Sequence, residues 1–211
     1  MRRTSRDRHQ RSADTPARIL DVAERLAQRC GFNGFSYADV ASELQISTAS
    51  LHYHFAGKAE LGRAMLTRYA ERFAQALAEI ETRRSNAPER LLAYAGLYAA
   101  VLQEQRLCLC GMLAAEYQTL PESMRGCVLR FFDDNERWLT GILEAGRAAR
   151  QLHFAGSALE AARVIVCGLE GAMLLARPYG DVSRFQSAAR QLLSALSATA
   201  ETQEPVPERF S

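Results

Sequence analysis

The chain has 211 residues, 48% of them apolar and 24% charged, with a formal net charge of +2. That is enough apolar content for a real core in one large or two small domains, and the sparse Gly and Pro with modest aromatics fit a helical protein. No run of eighteen apolar residues is present, which argues against a membrane-spanning helix. The start MRRTSRDRHQR leads into no apolar core, which argues against a signal peptide.

The charge is unevenly spread. Residues 1–80 carry 12 Lys/Arg against 9 Asp/Glu, and residues 81–211 carry 14 against 15, so the N-terminal part is the candidate for a polyanion. Of the 26 basic residues 25 are Arg, and the single Lys is Lys58. The five cysteines, Cys30, Cys108, Cys110, Cys127 and Cys167, are odd in number and scattered. This usage points to reduced thiols and a cytoplasmic location.

Residues 1–14 hold five Arg and little to bury, and are expected to be a basic flexible arm. Such an arm is either a solvated tail or a segment that reaches phosphates or the minor groove. Thr15-Pro16 reads as a helix start, and Ile19, Leu20, Ala23, Leu26, Ala27 and Cys30 follow at helical spacing up to Gly31. Phe32 and Phe35 flank the turn as core plugs. Ser36 with Asp39 approximates a capping box for a helix over 37–44, and Ser47 opens another over 48–55. Leu51 and Phe55 form the buried stripe of that second helix. Its other face offers Thr48, Ala49, Ser50, His52, Tyr53 and His54, hydrogen-bonding or small groups with no carboxylate. A surface that must approach a polyanion closely has this composition. Two plain core helices are the bland alternative.

A long helix is expected over 58–83, with Leu61, Met65, Tyr69, Phe73, Leu77 and Ile80 as its apolar stripe and a break at Ser85–Pro88. At 1.5 Å per residue it is roughly 35–40 Å long, enough to link two domains. Further helices are expected over 88–104, 108–120, 121–150, 158–177 and 181–198, and the tail from Thr199 is expected to be loose. The 158–177 helix is apolar nearly all round, so it needs cover on more than one side. A second copy in a C2 four-helix interface over about 158–198 supplies that cover, and a central helix of a monomeric bundle is the alternative.

The run ASLHYHFAGKAEL, residues 49–61, resembles the recognition-helix signature of TetR-family transcriptional repressors, and the likeness extends over about residues 15 to 62. The chain departs from the pattern at His52, where the family usually has Tyr, and at Gln45, where it usually has Gly, so the turn must be made by a residue that tolerates its dihedrals. The resemblance implies an all-α fold, with an N-terminal three-helix helix-turn-helix domain (15–60) and a C-terminal helical ligand-binding and dimerisation bundle (61–200), followed by a flexible tail (201–211). It implies DNA contacts from residues 48–54 in the major groove. Thr48, Ala49 and Ser50 face base edges, and Tyr53, His54 and Lys58 face phosphates, with Ser36 and His52 on the same surface. A cation at Lys58, at a helix N-terminus, opposes the helix dipole, which suggested a site-specific use for it.

Tyr94, Tyr98, Met112, Glu116, Phe131, Trp138 and Met173 gather in the second half as candidate ligand-binding residues, against the simpler reading of core packing. Cys108 and Cys110 join them. They stand at a helix start near Arg106, an environment that would lower a thiol pKa and favour an electrophile sensor, with structural thiols as the alternative. No metal-ligand spacing, P-loop, GxGxxG or GxSxG motif is present, so neither a cofactor nor an enzyme activity is expected. The function expected is a homodimeric repressor on a pseudo-palindromic double-stranded operator, released by a small apolar or electrophilic effector. A helical protein-interaction adaptor that binds no DNA is the alternative.

Overall fold

The computed structural model describes the backbone of residues 5–197 and the side chains of residues 15–196. Among the described residues there are helices and no strands. The expected tail from Thr199 lies outside them. The helices are α1 (Ser5–Cys30), α2 (Tyr37–Leu44), α3 (Thr48–His54), α4 (Lys58–Arg83), α5 (Ala87–Gln103), α6 (Leu109–Ala115), α7 (Glu122–Ala148), α8 (Ala158–Ala176) and α9 (Val182–Ser197), with 3₁₀ turns at Tyr117–Thr119 and Arg177–Tyr179.

Most boundaries follow local chemistry. Ser36 and Asp39 form a complete capping box: the Ser36 N–H donates to Asp39 Oδ2 at 2.7 Å, and the Asp39 N–H donates to Ser36 Oγ at 3.3 Å. Ser157 and Glu160 form the same box at α8, and the Asn86 side chain caps α5 by accepting from the Glu89 N–H. Gln45 closes α2 in the left-handed region, at φ 56° and ψ 44°, where a glycine would be unstrained. Two expectations need correction. The helix expected from Thr15 begins at Ser5 and runs through Pro16, so residues 5–14 of the expected flexible arm are helical backbone. The piece expected over 108–120 is a seven-residue helix followed by a 3₁₀ turn.

α1, α2 and α3 pack around Ile19, Ala23, Val40 and Leu51, all fully buried. α4 leaves this unit and continues into the second, where α8 lies between α7 and α9. Arg72 of α4 donates to both oxygens of Glu24 on α1, at 2.5 and 2.6 Å, and Arg68 pairs with Asp21 at 2.7 Å, so α1 and α4 are clamped by charge as well as by apolar contact. Glu24 is almost completely buried, where an unpaired carboxylate would cost several kcal/mol.

Candidate nucleic-acid interface and effector cavities

The exposed surface of α3 is built by Thr48, Ala49, His52 and Tyr53, spaced i, i+1, i+4, i+5 and so on one face. Leu51 and Phe55 turn the opposite way into the core. Tyr53 is 84% exposed, an unusual cost for an aromatic ring whose partner among the described residues is an edge contact to His54 at 5.1 Å. Ser50 and His54 are half-buried at the margins. His52 leans back toward α2. Its ring lies 4.7 Å from that of Tyr37, and Nδ1 is 3.2 Å from the Ala56 carbonyl oxygen. A carbonyl only accepts, so Nδ1 is the donor in this contact. Tyr37 holds the far end of α3 by donating to the Phe55 carbonyl at 3.0 Å.

Two residues assigned to this surface are committed elsewhere. The Ser36 hydroxyl donates to Asp39 Oδ2 and accepts from the Asp39 N–H in the capping box. Lys58 is turned inward: its ammonium donates to the Phe35 carbonyl and lies over the rings of Phe32 and Phe35, 4.7 and 4.5 Å from their centroids. Burial pulls its pKa down, opposed by Glu116, Cys30 and Asp39. The geometry corrects the phosphate-facing role expected from its position, because a carbonyl and two π faces already occupy the charge.

Two of the cavities in the second region are mostly apolar and bear on the candidate ligand residues. The first, about 260 Å³, lies between α4 and α5 and is lined mainly by Tyr69, Phe73, Leu97, Tyr98, Cys108 and Met173, with Arg72 at its edge. The second, about 380 Å³, lies between α6, α7 and α8, and Met112, Phe132, Glu170 and Met173 are among its walls. Of the candidate ligand residues, Tyr98, Cys108, Met173 and Met112 therefore line a cavity. Tyr94, Cys110, Phe131 and Trp138 do not; they pack behind the walls. Tyr94 stacks on Trp138 at 5.6 Å and donates to Asn135 Oδ1 at 3.0 Å, and Phe131 meets Phe73 at 5.0 Å. Glu116 is a different kind of residue altogether. Its carboxylate accepts from the Phe32 N–H at 2.6 Å, and Gly31, at φ 81°, leaves the room that a Cβ would fill, 2.4 Å from Glu116 Oε1. Glu116 thus ties α6 to the turn between α1 and α2 across a sequence gap of 84 residues.

The thiols also differ from expectation. Cys108 and Cys110 are 2% and 0% exposed, and burial pushes both pKa values well up. Arg106 does not offset this, because it pairs with Glu104 and donates to Gln28 Oε1. Both cysteines are therefore neutral thiols, and the lowered pKa expected from a helix start and an adjacent Arg is corrected. Cys30 and Cys167 are exposed. Tyr69, Phe73 and Glu170 were missed as cavity residues. The aromatic i, i+4 pair on the long helix and the lone mid-helix carboxylate of α8 were the available signals.

Along α8, Val164, Cys167, Leu174 and Leu175 are exposed, and Leu175 is 71% exposed. Val164, Cys167 and Leu174 follow one another at three and seven residues, with half-buried Gly171 at the turn between and Leu175 beside them, so they share one apolar stripe. No helix among the described residues is long and apolar enough to cross a membrane, and no cluster of three His, Cys, Asp or Glu among them could hold a metal ion.

Comparison with known proteins matches residues 19–65 to the N-terminal model of bacterial regulatory proteins of the tetR family, and residues 87–192 to the tetracyclin repressor-like C-terminal domain. The HTH-type transcriptional repressor NemR of Escherichia coli K12 is 29% identical over 171 residues, covering 78% of this chain and 84% of that one. A TetR-family transcriptional regulator from Agrobacterium tumefaciens superposes with a TM-score of 0.85 at 33% identity, over 89% of this chain and 100% of that one. A TetR transcriptional regulator from Legionella pneumophila gives 0.77 at 34%, over 85% and 95%. The reduced form of E. coli NemR gives 0.77 at 27%, over 89% and 100%.

Proposed function

The chain belongs to the TetR family of bacterial transcriptional regulators, and from that premise we propose that it is a homodimeric repressor of a pseudo-palindromic operator, released when a small molecule enters the α4–α5 cavity. Residues 15–60 form the DNA-binding domain in this reading, and residues 61–200 the effector and dimerisation domain. The observation that carries it is the α3 face: Thr48, Ala49, His52 and Tyr53 are exposed together, without a carboxylate among them, on a helix capped at its start by Ser47. Such a face suits the major groove, where Thr48 and the Ala49 methyl meet base edges and the Tyr53 hydroxyl meets a phosphate. One α3 reads few base pairs. Two copies joined through the apolar stripe of α8, with α9 beside it, read two half-sites about 34–36 Å apart. A cytoplasmic location accompanies this role.

Release follows from what the cavity touches. Its wall includes Tyr69, Arg72 and Phe73 of α4, the same helix that begins at Lys58 against the DNA-binding unit. The wall also includes Cys108, at the start of the short helix that ends on the Glu116 latch to Phe32. An occupant that displaces α4 or α6 re-aims α3 through either connection. A 100-fold loss of operator affinity requires about 2.7 kcal/mol of differential binding of the effector to the released state. The lining is apolar and aromatic and the one thiol in it is neutral, which favours an apolar effector over an electrophile aimed at Cys108.

A gel shift with the DNA flanking its own gene, followed by selection of bound sequences from random DNA, tests the reading. Salt-dependent binding and a two-fold symmetric selected site are expected. Absence of any salt-dependent binding overturns it in favour of a protein-only adaptor.

A further inference from the structure

We propose that the α4–α5 cavity takes a small aromatic carboxylate, and that the ligand's carboxylate competes with Glu24 for Arg72. This ligand class rests on the reading of the cavity as the effector site and narrows it from any apolar molecule to an apolar acid.

The walls set the body of the ligand. Phe73 and Ala76 of α4 face Leu97 and Val101 of α5, and the buried Cys108 and Met173 close the inner end. At about 260 Å³ the space lies just below the roughly 300–1,000 Å³ of drug-sized sites, so it suits a small arene. Phe73, Ala76, Leu97 and Val101 are half-buried and Ala100 is exposed, so the mouth opens to solvent. These mouth residues belong to α4 and α5, not to the α8 stripe, so a dimer formed through that stripe leaves the mouth free.

Arg72 sets the charge. It is the one charged side chain on the wall, and it is 45% exposed, so it is within reach of an occupant. It meets Glu24 through Nη2 alone, and among the described residues Nε and Nη1 have no hydrogen-bond partner. A guanidinium offers five donors in a planar fork that matches a carboxylate, so donors are left over for a ligand. The Arg72–Glu24 pair also lies near the inner end of the cavity. One turn beyond Glu24, the Gln28 carbonyl accepts from the Leu107 N–H at 3.2 Å, next to Cys108. Glu24 is buried, and its other basic neighbour, Arg68 at 3.7 Å, is shared with Asp21 at 2.7 Å. A second carboxylate on Arg72 repels that of Glu24 and weakens the clamp between α4 and α1. A neutral occupant fills the same space and leaves the clamp intact, and an ammonium is opposed by the guanidinium.

Calorimetric titration of the full chain without DNA, at about pH 7.5 where the acid is ionised, tests the site with 3-phenylpropanoate, its neutral isostere 3-phenylpropanamide, and 3-phenylpropylammonium. The propanoate is expected to bind about tenfold tighter than the amide, and the ammonium to bind weakest. Arg72→Gln is expected to bring the propanoate down to the level of the amide while leaving the amide unchanged. That substitution also deprives Glu24 of a partner, so Glu24→Gln supplies an independent arm that keeps Arg72. With its competitor gone, Arg72 is expected to hold the propanoate about threefold to tenfold tighter, again with the amide unchanged. A purely structural role for Arg72 gives no such gain. Equal affinity for propanoate and amide in the parent overturns the proposal, as does a Glu24→Gln variant that binds the propanoate no tighter. So does failure of the propanoate to bind. No arm uses DNA, so these failures reject the carboxylate while operator binding is decided separately by the gel shift.

Discussion

The Lys58 ammonium donates to the carbonyl oxygen of Phe35, 23 residues earlier, and lies against that residue's ring. The only lysine in the chain therefore fastens the start of α4 to the turn before α2.

Its removal should act through folding. Lys58→Ala is expected to destabilise the protein by about 1–3 kcal/mol, from a charge-assisted hydrogen bond and two cation–π contacts. Operator affinity should fall, but the slope of log affinity against log salt should stay that of the parent. Chemical denaturation and a salt titration of DNA binding check both halves. A slope reduced by about one phosphate per subunit would return Lys58 to the DNA surface.

Leu175 is the most exposed residue of the α8 stripe, so Leu175→Arg should leave the folded chain intact. Burying an unpaired guanidinium in a two-fold interface costs several kcal/mol, and the substitution occurs twice in each dimer. Sedimentation at micromolar concentration is expected to show a monomer with unchanged helicity. An undisturbed dimer would place the interface elsewhere.

Thiol reactivity should rank by exposure. Cys30 is expected to alkylate readily with iodoacetamide in the native state, and Cys108 and Cys110 at least tenfold more slowly, since only the thiolate attacks and burial disfavours it. Mass spectrometry of timed samples resolves each site. Faster labelling of Cys108 than of Cys30 would restore it as a sensor.

Glu170 sets a pH dependence. Burial raises its pKa to about 7 in the folded chain, against about 4.3 when unfolded. A raised carboxyl pKa means the stability is fully present below the unfolded value and is lost as pH rises through about 7. The loss is on the order of 2–3 kcal/mol, allowing for the water that reaches this partly exposed residue. Glu170→Gln should match the parent near pH 4 and be more stable than it near pH 8. Melting curves across that range check the sign. Parallel profiles would mean the carboxyl is already paired.

The sequence alone determined what depends on neighbours within a few residues. Ser36 with Asp39, and Ser47, each fix a helix start by a side chain reaching three positions along, and the period of apolar residues in 58–83 predicted α4. The polar face of α3 was legible for the same reason, as were the apolar α8 and the left-handed demand on Gln45. The start of α1 was not, because Thr15-Pro16 is a good cap sequence and equally compatible with a helix already under way.

Only the tertiary structure decided what depends on residues far along the chain. Lys58 could have faced phosphate, and the Phe35 carbonyl and two rings turned it inward. Cys108 has the local sequence of a reactive thiol, but α4, α8 and Met173 close over it and remove the water a thiolate needs. Glu116 looked like a pocket residue until the N–H groups of the α1–α2 turn came within reach. The α3 face that the sequence made legible is therefore aimed by contacts the sequence could not show: Lys58 on Phe35 and Glu116 on Phe32. Capping and periodicity are decided over one or two turns of chain, whereas burial and charge pairing are decided by whatever the fold brings within a few ångströms.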